Sequence, residues 1–273
     1  MKNRRIQRGV LLVLVAMMTL SACHWQPSLD GGEESKAVRI ERYDRIESHY
    51  LTTGDYAALQ QMKLHYPAQT RMLIEDVVKI GRVSDTDISG KFLDYYKDTV
   101  LQTIIKEVEA QYAVIDDITE RFNKAFGRLR EELPSLATPV IYTQIGALDQ
   151  SVVIGDSLIG VCLDKYLGAD YPLYAHYYPK QQRAMMGREM IVPDCLVFYI
   201  LSEYPPRDES GRAGDHAEAD AQIGKIQWIV NKAVGRKVFS NKDVTMAERY
   251  MREHKGVSAE QLLTDVGYEQ LSD

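Results

Sequence analysis

A chain of 273 residues, 45% of them apolar and with a formal net charge of -6, is long enough for one or two globular domains. The acidic balance, with no basic run beyond the first eight residues, argues against a nucleic-acid partner. Tyrosine outnumbers phenylalanine 17 to 5, so much of the aromatic surface carries a polar tip suited to core margins and half-wet grooves.

The first eight residues carry Lys2, Arg4, Arg5 and Arg8 and no acid. Residues 10–20 are almost wholly apolar, and Leu20-Ser21-Ala22-Cys23 follows. A basic start, a short apolar run and small residues before a cut are the parts of a secretory signal. The run is too short for a bilayer span, which needs about 20 residues. Its last four residues resemble a bacterial lipobox, in which the cysteine is acylated and the chain is cut just before it. Residues 1–22 are therefore expected to be a signal peptide and Cys23 the lipidation site, with palmitate-type chains inserted in membrane lipid. Each buried methylene contributes about 0.8 kcal/mol. Residues 23–36, with Pro27, Asp30, Gly31, Gly32, Glu33 and Glu34, read as a flexible tether. The expected location is extracytoplasmic and membrane-anchored, on the outer membrane facing the periplasm, with the inner membrane and surface display left open. The remaining cysteines, Cys162 and Cys195, are compatible with a disulfide or with two buried free thiols.

Residues 37–273 read as one globular domain. Residues 37–44 alternate imperfectly and suggest a first strand. Helices are expected over 53–63, capped by Thr53 or Asp55, and over 69–80, stopped by Gly81; residues 84–90 read as loop. Residues 98–112 and 115–129 are stronger, each with apolar residues three and four apart on one face. Glu107, Glu109, Asp116 and Asp117 fall outside those stripes and read as solvated charges. Pro134 ends the second of these helices. Residues 138–145 read as a strand, and 152–154 with 158–163 as a hairpin around Gly155-Asp156-Ser157. Residues 168–179 form a turn-rich loop, 188–201 a buried helix with Pro193 in its first turn, and 204–220 a long polar stretch. Helices follow from Ile223 and from Val244, and Ser258 with Gln261 forms a capping-box spacing that Val257 and Leu262 complete as a staple. About eight helices and three or four strands make an α+β domain, helix-dominated, with a small antiparallel β-meander.

Gly155-Asp156-Ser157-Leu158 spells the motif of GDSL esterases, whose serine is a nucleophile. Such a serine needs a base and an oxyanion hole. The Gly-x-Asn block and late Asp-x-x-His that supply them in those esterases are missing here, and a hairpin turn explains the letters as well. Ser157 stays as the catalytic residue of an alternative, hydrolytic reading. There is no HExxH, no CxxC and no pair of histidines at helical spacing, so neither a metal site nor a cofactor is expected.

The stretch over 152–174, VVIGDSLIGVCLDKYLGADYPLY, is followed by Arg183, Arg188-Glu189 and the run Ile191-Val192-Pro193-Asp194. Together with the lipobox and the strand over 39–44, it resembles the GldB-type lipoproteins of gliding bacteria over about residues 37–204. The block in question is Asp164, Tyr166, Leu167, Gly168, Asp170, Pro172 and Tyr174. The resemblance implies an envelope protein associated with gliding motility. It also implies a faint likeness to zinc metallopeptidase domains, in which a helix after the sheet bears HExxH. The matching helix here, 189–201, holds no histidine, and Asp194 alone cannot hold zinc, so a degenerate zincin-like scaffold is implied. The leading expectation is a non-catalytic lipoprotein that presents residues 164–178 to an envelope or motility protein. Tyr171, Tyr174, Tyr177 and Tyr178 would form an aromatic contact patch, with Tyr166 and Asp194 beside it and Asp164, Asp170 and Arg183 fixing register. Alternatively, Asp164 and Arg183 pair with each other or cap helices.

Overall fold

Four strands form one mixed sheet, in the order β1, β2, β4, β3. The computed structural model describes residues 37–206 and 215–272. β1 is Ile40–Glu41, β2 Val140–Gln144, β3 Val152–Gly155 and β4 Leu158–Cys162. β1 and β2 run parallel, as do β2 and β4, the latter in the register Val140 to Leu158 through Gln144 to Cys162. Only β3 is antiparallel, paired with β4 so that Gly155 faces Leu158. The α+β class stands, but the expected meander does not. β2 skips the adjacent strand in sequence and pairs in parallel with β4, leaving β3 on the edge. Ile141 to Gln144 are all buried, as a strand covered on both faces should be. β4 comes close to β2 because Gly160 stands opposite Tyr142. A Cβ at Gly160 would lie 2.5 Å from the Tyr142 hydroxyl, so only glycine leaves room for that ring.

The helices before the sheet are α1 (Tyr43–Thr53), α2 (Tyr56–His65), α3 (Pro67–Arg71, continuing through a wider π turn over Met72–Val77), α4 (Ile88–Tyr95), α5 (Thr99–Gln111) and α6 (Asp116–Glu132). α2 is capped by Asp55 and α5 by Asp98, whose carboxylates accept first-turn amides. α1 and α4 were not anticipated. The expected strand over 37–44 is cut to two residues because α1 begins at Tyr43. The expected loop over 84–90 gives way to α4 from Ile88. After the sheet come α7 (Tyr174–Tyr177), α8 (Lys180–Arg183), α9 (Ile191–Glu203), α10 (Asp215–Val234), α11 (Lys242–Glu253), α12 (Ala259–Thr264) and α13 (Tyr268–Ser272). α9 packs on β3 and β4, and α10 on α6, α9 and α11. The polar stretch expected over 204–220 shrinks, since α10 starts at Asp215, and its residues 207–214 lie outside those described.

Most buried apolar residues belong to one core around the sheet. A second, small core joins Ala221 of α10 to Leu262 of α12, Leu271 of α13 and Val266 between them. The capping box of Ser258 and Gln261 is formed in both directions, and Val257 packs on this second core as a staple should. Cys162 and Cys195 are both buried and free, and burial pushes both thiols up. No described helix is long and apolar enough to cross a membrane.

Candidate functional site: a clamped loop and the groove behind it

The chain leaves β2 into a loop, Ile145 to Gln150, at the carboxyl end of two parallel strands, where α/β sheets place their ligand-binding loops. Ala147 and Leu148 both have left-handed backbones, with φ of 53° and 64°. Neither is glycine, so each costs about 1–3 kcal/mol and persists only if its surroundings hold it there. Those surroundings come from the segment after β4. The Asp164 carboxylate accepts the amides of Gly146 at 2.7 Å and Leu148 at 2.5 Å. The Leu148 carbonyl accepts the Lys165 ammonium at 3.2 Å and the Tyr178 hydroxyl at 2.8 Å. Lys165 also donates to Tyr178 at 2.9 Å and sits over its ring. The loop is thus gripped on both sides of its strained pair.

A second layer holds the grip. The Tyr174 hydroxyl donates to the Asp164 carbonyl and accepts the Leu167 amide at 3.0 Å. Tyr112, just past the end of α5, donates to the Tyr166 carbonyl at 2.5 Å, and Tyr166 donates to Asp194 of α9 at 2.9 Å. Behind the loop, Glu47 of α1 accepts the Ile145 amide at 2.9 Å, and Tyr96 donates to the Ile145 carbonyl at 2.6 Å. Asp44, held by a two-pronged Arg42, accepts Thr143 at 2.5 Å. Burial raises the Glu47 carboxyl well above the usual range, with the nearby Asp44 and Asp164 charges adding to it, against the pull of the Ile145 amide. Burial also raises Asp164, while the Gly146 and Leu148 amides and Lys165 pull it back. Burial pushes Asp194 up to about 7, with the Tyr166 hydroxyl opposing.

These contacts revise the expected contact patch. Asp164, Tyr166 and Tyr174 are fully buried, their polar atoms spent on the loop amides, on Asp194 and on the backbone of the Asp164–Leu167 segment respectively, and they cannot touch a partner. Asp194 is half-buried and turned onto Tyr166. Asp164 pairs with amides and not with Arg183, whose half-buried side chain has an Nε without a described partner. Asp170 and Tyr177 do face outward, Tyr177 with 64% of its surface exposed. Ser157 stands exposed at the hairpin tip with φ 56°. The described histidines with a recorded partner lie elsewhere, His49 on Asp55 and His254 on Tyr250. Cys23 lies outside the described residues.

Two of the helix charges read as solvated have partners, Glu109 half-buried and Asp117 exposed. Glu109 accepts the Ser48 hydroxyl, and Asp117 takes the fork of Arg188, at 2.5 and 3.1 Å, and Arg121 at 2.6 Å. Arg188 holds Asp117 down at about 2. Arg188 also donates to the carbonyls of Gln111 and Val114 and lies over the Tyr112 ring, so it ties the start of α9 to the α5–α6 turn. Lys165, Glu47 and the strained pair were missed by sequence reading, and Tyr178, expected in the outward patch, instead grips the loop. Lys165 could have been suspected from its place within the block, but a left-handed Ala-Leu pair and a buried glutamate leave no sequence signal.

Outside the clamp, Thr99, Val100, Thr103 and Glu107 of α5 face Tyr171, Pro172, Leu173 and His176 across a groove of about 490 Å3. Its walls are mostly apolar, Val100 is 41% exposed, and Glu107 is exposed in its lining. Tyr171 and Tyr178 pack edge-on against the buried Tyr174, so the groove wall rests on the clamp. Among the described residues no group of three or more metal-binding side chains converges.

The profile of a family described as gliding motility protein GldB matches residues 23–236. That span begins at the expected lipidation site, and it extends beyond the resemblance read over 37–204 at both ends. No curated protein and no solved structure matches.

Proposed function

The chain belongs to the family of gliding motility protein GldB, and on that premise we propose that it is an envelope lipoprotein of the motility apparatus that binds and does not catalyse. In this reading residues 1–22 are the signal peptide, Cys23 carries palmitate-type chains on the outer membrane facing the periplasm, and residues 37–273 are the working domain. The groove between α5 and residues 171–176 receives the partner. The observation that carries this reading is the division of labour in the tyrosine block. Its inner side chains immobilise the loop after β2, and its outer ones, Tyr171 and Tyr177 with Leu173 and His176, line or flank an open, mostly apolar groove.

Such a groove suits a protein segment with an aromatic or aliphatic side chain and a cation placed to meet Glu107. Asp170 and Arg183 would set the register from outside. The test is isolation of the tethered protein from the membranes of a gliding host. A motility component should co-purify with the wild type and be lost with Val100→Glu or Leu173→Glu at an unchanged melting temperature. Retention of the same component by both variants would refute the groove. An unmodified residue at the mature N-terminus in mass spectrometry would refute the lipid anchor.

A further inference from the structure

On another face, Arg121, Lys124 and Arg128 of α6 meet Arg236, just past the end of α10, around a cavity of about 130 Å3. Val192, Pro193 and Val234 supply its apolar part, and Glu189 is the one acid in its lining. Four cations around so small a space is unusual in a chain whose net charge is -6. Their partners divide them. Arg121 is ion-paired to Asp117 and Lys124 to Glu120. Arg128 and Arg236 meet no carboxylate among the described residues. Arg128 donates to the Ala233 carbonyl at 3.2 Å and Arg236 to the Glu189 carbonyl at 3.2 Å, which steers each guanidinium without neutralising it. The Glu189 carboxylate is folded back against Gly187. Val192 and Pro193 are in the first turn of α9, a helix of 13 residues, so the positive end of its dipole adds to the same field. The carboxylate of Asp194 in that turn is directed to Tyr166.

We propose that this cavity is a binding site for a phosphate group, with Arg128 and Arg236 as its two principal ligands and Arg121 and Lys124 on its rim. Guanidinium forks match the oxygens of a phosphate, and the steering carbonyls preset their direction. The site is separate from the groove beside α5 and does not depend on the partner proposed there. A free phosphate and the headgroup phosphate of a membrane lipid present the same chemistry, so both sources are tested.

The experiment titrates the full-length protein in detergent, at constant ionic strength, with inorganic phosphate and separately with glycerophosphoglycerol, the soluble headgroup of an anionic phospholipid. Calorimetry reads the binding. Saturable binding of inorganic phosphate is expected, weakened about tenfold or more by Arg236→Gln and by Arg128→Lys, the latter keeping the charge and losing the fork. Lys237→Gln, which removes one charge from a residue paired to Glu248, should leave affinity within about twofold. Parallel binding of glycerophosphoglycerol assigns the site to a lipid headgroup, and binding of phosphate alone assigns it to a free phosphate or monoester. Arg128 also holds the α10 terminus, so melting curves accompany each variant, and Arg236→Gln decides if an Arg128 variant unfolds. No saturable binding of either compound, or an equal loss in Lys237→Gln, overturns the proposal.

Discussion

Tyr174 and Tyr177 sit on one short helix and do opposite things. Tyr174 is fully buried, with both hydrogen-bonding capacities of its hydroxyl used on the backbone of the Asp164–Leu167 segment. Tyr177 points outward, packed only partly against Tyr178. The same contrast separates Asp164 from Asp170. One aspartate is the buried acceptor for two loop amides, and the other is exposed. A residue block that reads as one motif is thus two surfaces. The inner one fixes the shape of the strained loop, and the outer one is left for recognition. Residue type alone does not distinguish them; what each polar atom bonds does.

Breaking the inner surface should cost most. Asp164→Ala leaves the Gly146 and Leu148 amides buried without an acceptor and releases the left-handed pair, a loss of about 4 kcal/mol in urea unfolding. Asp170→Ala should stay within about 0.5 kcal/mol of the parent. Equal effects of the two would erase the contrast. Tyr174→Phe removes the hydroxyl from the Leu167 amide and the Asp164 carbonyl and should cost about 2 kcal/mol, whereas Tyr177→Phe should be silent in the same melt.

A smaller effect depends on pH. The folded Asp194 carboxyl titrates at about 7, above its ordinary unfolded value. Folding therefore favours the protonated form, and its contribution to stability is present below the unfolded value and lost as pH rises toward about 7. Asp194→Asn keeps an acceptor for Tyr166 and cannot ionise. Its stability should match the parent near pH 4 and exceed it at pH 8; a parallel pair of pH profiles would contradict the raised carboxyl. Smallest is Ser157→Gly. The hairpin residue already has φ 56°, so glycine should stabilise by about 1 kcal/mol, or roughly 2–4 °C in melting temperature. The same variant is a sharp check on the esterase letters. Fluorophosphonate labelling of the parent that vanishes with Ser157→Gly would restore a nucleophile there.

Sequence reading located what repeats along one face. α5 and α6 were legible because Ile104, Ile105, Val108 and then Ile118, Phe122, Phe126 and Leu129 recur at helical spacing and are all buried. The hairpin was legible from its turn, and α12 from its capping box. α1 was not, because half of its buried face is polar. Asp44, Glu47 and Ser48 are inside with Tyr43, Tyr50 and Leu51, so no apolar period marks it. The sheet order was hidden for a different reason. β1 and β2 pair in parallel across about 100 residues of helix, and neither strand states its neighbour. The clamp was half legible, since its residues were singled out as a block. Their direction was not, because their partners are backbone amides and carbonyls of a loop with no distinctive letters.

The C-terminal helices are a milder case of the same lesson. The family match ends at residue 236, while α11 to α13 build their small core against Ala221 of α10. Lys225 of α10 donates to the Val266 carbonyl at 2.6 Å, so this appendage is joined to the main body by polar as well as apolar contacts.

Amide hydrogen exchange at Gly146 and Leu148 tests the clamp most directly. With Asp164 holding both amides, they should exchange as slowly as those of β2 and β4, and they should lose that protection in Asp164→Ala while the strands keep theirs. Exchange in the wild type as fast as that of the exposed Arg82, whose amide rests on the Asp85 carboxylate, would mean that the loop is not held and that the block has no inner role.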